Sequence, residues 1–189
     1  MPPKNVSNVL PPPWNEFLSE LASVLTEPLE LHCVGGFILV HFYGLPRSTA
    51  DIDYYTAIPQ TNLDEIAGEH SALHKKHKVY LHRSTVMSLP DEYESRLEEL
   101  VPGSFKTLKL RVLDPYDCIL SKIERNSTKD RDDADYLFRS QRLDSATLRD
   151  RYTKELRPYL AKDRECDLTL ELWLEIFEGP PLATEIAYP

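Results

Sequence analysis

The chain has 189 residues, enough for one domain of ordinary size with a small helical extension. Hydrophobic residues make up 41% and charged residues 28%, which excludes a fibrous or disordered chain. A net charge of −9 disfavours broad DNA binding and suits a small ligand, a partner protein, or RNA held at one focused basic site.

Residues 1–13 contain five prolines and read as an extended lead-in with no packed structure of its own. A helix is predicted from Trp14 to about Thr26, because Phe17, Leu18, Leu21 and Leu25 recur at helical spacing and Pro28 stops it. Leu29 to Val34 is a short apolar run between Pro28 and Gly35, a buried strand. Gly35-Gly36 makes a tight turn. Phe37 to Tyr43, apolar almost all round, fits a strand or a helix; its place after a Gly-Gly turn favours a buried helix, which Gly44-Leu45-Pro46 ends. Asp51 to Ala57 reads as a strand with Ile52 and Tyr54 on one face and the carboxylates on the other. A helix with apolar points Leu63, Ile66 and Leu73 is expected from Asn62 to about His74, then a strand from Lys78 to Arg83. Asp91 to Leu100 is a charged short helix or turn, and Leu108 to Leu113 alternates as a half-buried strand.

From Asp114 the pattern turns helical, with Asp114 as N-cap and Pro115 at the first helical position. Ile119, Leu120 and Ile123 form an apolar stripe. A second helix starts near Ser127 or Thr128, where Ser127 and Asp130 have capping-box spacing, and turns Ala134, Leu137 and Phe138 inward. Two more helices follow, roughly Ser145 to Leu160 and Arg164 to Phe177, the last carrying Leu168, Leu172, Trp173, Ile176 and Phe177. The fold class is α+β: a lead-in over 1–13, an α/β core over 14–113, and a C-terminal helical region over 114–189 packed on that core.

Cys33, Cys118 and Cys166 lie far apart, which argues against structural zinc and a disulfide framework and suits buried thiols. No apolar run reaches membrane-spanning length and the start lacks a signal-peptide pattern, so a cytoplasmic protein is expected.

Chemistry concentrates between Val34 and Tyr55. Asp51 and Asp53 are two apart on a strand, so they share a face. Two such carboxylates repel unless a cation lies between them. Mg²⁺ prefers one or two carboxylates plus phosphate oxygens, so the pair reads as a metal clamp for a nucleotide's phosphates. Gly35 and Gly36, ahead of a helix start, let backbone N–H groups approach a phosphate closely. Arg47 can form paired hydrogen bonds to phosphate oxygens, and Ser48 or Thr49 can bond a phosphate or pin the turn. Each part alone is usually structural; the ordered set, strand–turn–helix–loop–strand, is what carries the reading.

Lys122 and Arg125, one helical turn apart, project in similar directions and would supply positive charge to a triphosphate. Lys122 is the better candidate for direct substrate contact. Asp133 is placed to pair with Arg125 across the short connection. His70 and His74, at i and i+4 of the expected helix, have the spacing to share a zinc ion, but no further ligand completes a set, and surface or structural histidines are expected.

The stretch V-G-G-F-I-L-V-H-F-Y-G-L-P-R-S-T-A-D-I-D-Y-Y, Val34 to Tyr55, resembles the nucleotidyltransferase superfamily signature, in which a Gly-Gly or Gly-Ser turn precedes a strand bearing Asp-x-Asp. It is most similar to the small bacterial and archaeal nucleotidyltransferase-like proteins that include toxins of type IV toxin–antitoxin (abortive infection) systems. A second segment, I-L-S-K-I-E-R-N-S-T-K-D-R-D-D-A-D-Y-L from Ile119 to Leu137, resembles the helical K-L-x-R…(K/R)-D-x-x-D block of those proteins.

The resemblance implies a nucleotidyltransferase-like mixed β-sheet flanked by helices, followed by a helical region. It implies transfer of a nucleoside monophosphate from a nucleoside triphosphate to an RNA 3′ end such as that of tRNA, a protein, or a small-molecule hydroxyl. Mg²⁺ or Mn²⁺ on Asp51 and Asp53, a cognate antitoxin or other partner protein, and no membrane belong to the same expectation. So does a site with Asp51, Asp53, Lys122 and Asp130 as catalytic residues and Gly35, Gly36, Arg47, Ser48, Thr49 and Arg125 as nucleotide-binding ones. One departure stands out: the superfamily's third carboxylate on a later strand is missing from both Lys78–Arg83 and Leu108–Leu113. Either His82 serves as base, or Asp130 does, or the catalytic set is incomplete and the protein is a non-catalytic nucleotide-binding or toxin-neutralising relative.

Overall fold

A computed structural model describes residues 9–180 of the chain. In chain order the elements are α1 (Trp14–Val24), β1 (Leu29–Val34), α2 (Gly35–His41), β2 (Asp51–Ile58), α3 (Asp64–Ala67), α4 (Ala72–His77), β3 (Tyr80–Arg83), β4 (Glu98–Leu100), β5 (Leu108–Val112), α5 (Pro115–Leu120), α6 (Thr128–Ser140), α7 (Ser145–Arg151) and α8 (Asp163–Glu178). They fall into two units: the chain up to Val86 with Glu92–Asp114, and Met87–Asp91 with the chain from Pro115 onward.

The first unit is built on a mixed sheet of order β3-β2-β1-β5-β4. β1 is central, antiparallel to β2 and parallel to β5, which explains why Leu31, Cys33 and Val34 are fully buried. β2 runs parallel to β3, and β4 antiparallel to β5. The β1–β2 register slips once: His32 faces Thr56 and Cys33 faces Tyr54, so Tyr55 is a bulged extra residue. Bulges recur beside active sites because they re-aim neighbouring side chains, and this one lies two residues from Asp53. Ile52 and Tyr54 are buried and Asp51 and Asp53 half-buried, as the alternation requires.

Four features differ from the sequence expectation. The helix from Asn62 to His74 is two helices, because Gly68 leaves α3 in extended geometry (ψ −179°) and its N–H bonds back to Leu63 and Asp64 carbonyls; Ile66 is exposed. Lys78 caps α4 in the left-handed conformation, so β3 starts at Tyr80. The charged stretch from Asp91 holds a 3₁₀ turn, Tyr93–Arg96, and then β4, whose three residues are too few to show alternation. The lead-in is anchored at its end: Leu10 is buried and the Trp14 N–H bonds the Pro11 carbonyl at 3.0 Å, while residues 1–8 of it lie outside the described ones.

In the second unit α6 begins with the expected capping box between Ser127 and Asp130. The helix expected from Ser145 to Leu160 ends at Arg151, continues as a π turn (Tyr152–Leu156) and finishes as a 3₁₀ turn (Arg157–Tyr159) in which Pro158 has no N–H to give. On α8 the buried stripe is Cys166, Leu170, Trp173, Leu174 and Phe177. Leu168 and Leu172, also carried by this helix, are 73% and 43% exposed and lie off that stripe. Cys33, Cys118 and Cys166 are free and buried. Among the described residues no helix is long and apolar enough to cross a membrane.

Trp173 is fully buried, and its indole N–H donates to Asn126 Oδ1 at 3.0 Å. Trp173→Ala should therefore lower unfolding free energy by roughly 3–5 kcal/mol, with Trp173→Phe losing less; urea titration followed by circular dichroism measures both.

Candidate functional site

The site in the first unit follows from one pairing. Val34 on β1 faces Asp53 on β2, so the residue after Val34 turns away directly beside the Asp53 carboxylate. That residue is Gly35, with φ +70°, and a β-carbon there would stand 2.3 Å from Asp53 Oδ2. No side chain fits in that space, and the positive φ itself favours glycine. At Gly36 a β-carbon would stand 3.3 Å from both Arg47 Nη2 and Thr49 Oγ1. The loop between α2 and β2 therefore folds back over the turn. Thr49 donates its hydroxyl to Asp51 Oδ1 at 3.0 Å, fixing the first carboxylate as the Gly35 contact fixes the second. Ser48 is exposed, and among the described residues no side-chain hydrogen bond holds it.

β3 closes the other side. Its parallel register places His82 opposite Asp53 and Tyr80 opposite Asp51. His82 Nδ1 lies 2.9 Å from Asp53 Oδ1, and the imidazole is 60% exposed. Burial, then the charges of Asp51, Glu69 and Asp53, push the Tyr80 phenol above its ordinary range. Burial, with the Asp53 charge added, pushes the Cys33 thiol up as well, so Cys33 stays protonated beside the site. Tyr80 was not singled out in the sequence, although it stands two residues before His82 on the same strand face.

Among the described residues no group of three or more His, Cys, Asp or Glu converges as a metal site. Two carboxylates on one strand face beside a bare glycine turn are the donor set suited to a divalent cation that takes its remaining ligands from phosphate oxygens and water. His70 and His74 do not form such a set. His70 precedes α4 in a turn at φ +72°, and its N–H donates to His74 Nδ1 at 2.9 Å.

The charged residues of the second unit bind one another. Lys122 is buried, with Nζ 3.0 Å from Asp133 Oδ2 and 3.4 Å from Asp130 Oδ1. Arg125 bonds Asp130 through Nε at 2.7 Å and Nη2 at 2.5 Å. The Ser127 N–H and hydroxyl also donate to Asp130, at 3.1 and 2.6 Å. Burial alone would raise the Asp130 carboxyl; the bonds from Arg125 and Ser127 and the Lys122 charge outweigh it and hold it well below the usual carboxylate range. A carboxylate so held is a weak base, and its acceptor positions are already taken.

A family model described as nucleotidyltransferase of unknown function (DUF6036) matches residues 15–177, most of the chain and both units. No curated protein and no solved structure matches it.

Asp130 also sets an acid limit on stability. Its folded carboxyl is depressed, so its contribution is fully present above the unfolded value, near 4 for an aspartate, and fades as pH falls below that. Asp130→Asn should cost roughly 3 kcal/mol at pH 7, the order expected when one partner of a buried pair is removed. The gap between wild type and variant should narrow in urea titrations run at successively lower pH from 5 to 3; a gap that stays constant would remove the ionised carboxylate from the account.

Proposed function

Because the chain belongs to this nucleotidyltransferase family, we propose that it transfers a nucleoside monophosphate from a metal-bound nucleoside triphosphate to an acceptor hydroxyl. The observation that carries the reading is the seating of Asp53 against Gly35, with Arg47 and Thr49 gathered at Gly36. Asp51 and Asp53 hold the cation, Mg²⁺ or Mn²⁺, and when bound it neutralises charge on the phosphates. Gly35 and Gly36 let the triphosphate approach the backbone, and α2 has no side-chain cap to compete for its first N–H groups. Arg47 forks onto phosphate oxygens, and Thr49 keeps Asp51 aimed.

The acceptor oxygen attacks the α-phosphorus, the bond to the bridging oxygen breaks, and pyrophosphate leaves. His82 takes the hydroxyl proton on Nε2, because its contact with Asp53 occupies Nδ1. Lys122 and Asp130, read from the sequence as catalytic, and Arg125, read as nucleotide-binding, bond one another and so brace the start of α6. The resemblance to type IV toxin–antitoxin proteins supports a cellular role in such a pair, with an RNA, protein or small-molecule acceptor. A second reading, nucleotide binding without transfer, is favoured by one observation: neither β3 nor β5 carries a carboxylate.

Titration calorimetry with a non-hydrolysable triphosphate should show binding that requires Mg²⁺. Asp51→Asn and Asp53→Asn should abolish it with circular dichroism unchanged, and Gly35→Ala, which displaces Asp53, should weaken it at least about tenfold. Binding that survives all three would remove the site assignment.

His82→Ala should bind triphosphate as wild type does yet lose about 10²–10⁴-fold in label transfer from α-³²P nucleotide to acceptor pools. Transfer absent from the wild type, with binding intact, selects the second reading.

A further inference from the structure

β2 outlasts its neighbour. β3 pairs with it only from Asp51 to Tyr54, and the Ser84 N–H closes the ladder on the Tyr54 carbonyl at 2.8 Å. Beyond that point Thr56, Ala57 and Ile58, still paired with β1 on one edge, line a cavity of about 430 Å³. The volume lies within the range of small-molecule sites.

Three polar side chains on its wall have no bonding partner among the described residues. Tyr54 is 2% exposed, and its hydroxyl has no protein hydrogen bond. Arg83 and Asp64 make no ion pair, with each other or with a third residue. The Tyr54 hydroxyl is not sealed in the core: it opens onto the cavity, where a ligand can bond it. Arg83 and Asp64 are solvent-exposed charges of opposite sign on the same cavity wall. Both charges reach the same phenol: burial and Asp64 push Tyr54 up, while Arg83 pulls it down.

The arrangement matches a ligand that carries both charges itself. A carboxylate fits the Arg83 fork, an ammonium group fits Asp64, the Tyr54 hydroxyl bridges between them, and Ala57 and Ile58 supply an apolar side. We propose that this cavity binds a small zwitterion of the α-amino-acid type. The Tyr54–Arg83 row is the next after Asp53–His82, and strand alternation turns its side chains to the other face of the sheet, so this cavity is separate from the acidic pair.

The test is ligand-observed NMR and calorimetry with the twenty standard L-amino acids, each compared with its N-acetyl and carboxamide forms. At least one free amino acid should bind, and blocking either end should weaken it about tenfold or more. Arg83→Met and Asp64→Asn, both at exposed side chains, should each cost about tenfold, and Tyr54→Phe a few-fold. Asp51→Asn should leave amino-acid binding unchanged. The proposal is overturned if no free amino acid binds, if blocked forms bind equally well, if Arg83→Met has no effect, or if only extended peptides bind, which would make the open edge of β2 a strand-pairing surface. Loss of the triphosphate reading with amino-acid binding intact would leave this site standing, because the two sites share no residue.

Discussion

The first unit turns on a missing atom. Asp53 can lie against the backbone of Gly35 only because no β-carbon stands there, and it must lie there because Val34 and Asp53 are partners in the β1–β2 ladder. Strand register therefore chooses which residue of β2 meets the turn. A slip of one residue would exchange the carboxylates for Ile52 and Tyr54 and bury charge in the core. The bulge at Tyr55 changes the alternation beyond the acidic pair, so Thr56 and His32 share a row while Asp51 and Asp53 keep their face. The loop after α2 then has a fixed target, since Thr49 bonds Asp51 and Arg47 rests over Gly36. Backbone pairing, glycine placement and loop return are one constraint seen at three points.

Much of this was legible before any coordinates. β1 could be bounded from Pro28 and Gly35, and the period of two in Asp-Ile-Asp-Tyr assigned faces on β2, because both signals are local and strong. The breaks that went unread were also marked: Gly68 between α3 and α4, and Pro158 at the end of the π and 3₁₀ turns after α7. There, continuous hydrophobic spacing outweighed the single breaker. β4 left no such trace, because three residues with two glutamates owe their strand conformation to pairing with β5. In the site, the residues adjacent in sequence were found, and Tyr80 was not. Its place beside Asp51 depends on the β2–β3 register, which only the fold supplies.

Pairing within the second unit shows a different limit. Sequence spacing brings Lys122, Arg125, Asp130 and Asp133 together but does not say which cation takes which carboxylate. Burial decides it. The Lys122 side chain is 7% exposed, and a lone buried ammonium is costly, so it takes both aspartates. The Arg125 side chain is 70% exposed and uses its planar fork on Asp130. Asp130 is spoken for twice more by its own capping box. A group with so many partners holds structure firmly and has little capacity left for transferring protons.

That argument bears on the missing third carboxylate. Glu98 and Glu99 are the acidic residues that the structure adds to the sheet, but β4 lies three strands from β2. At about 4.8 Å per strand the separation is about 14 Å, too far for either to share a cation with Asp51 and Asp53. Within the first unit, the group that touches the acidic pair from the neighbouring strand is His82. Its ring meets Asp53 in the row where a carboxylate would add a third negative charge. An imidazole there can accept a proton without adding that repulsion. On the transferase reading, the substitution of nitrogen for oxygen is how a sheet with only two site carboxylates retains a base.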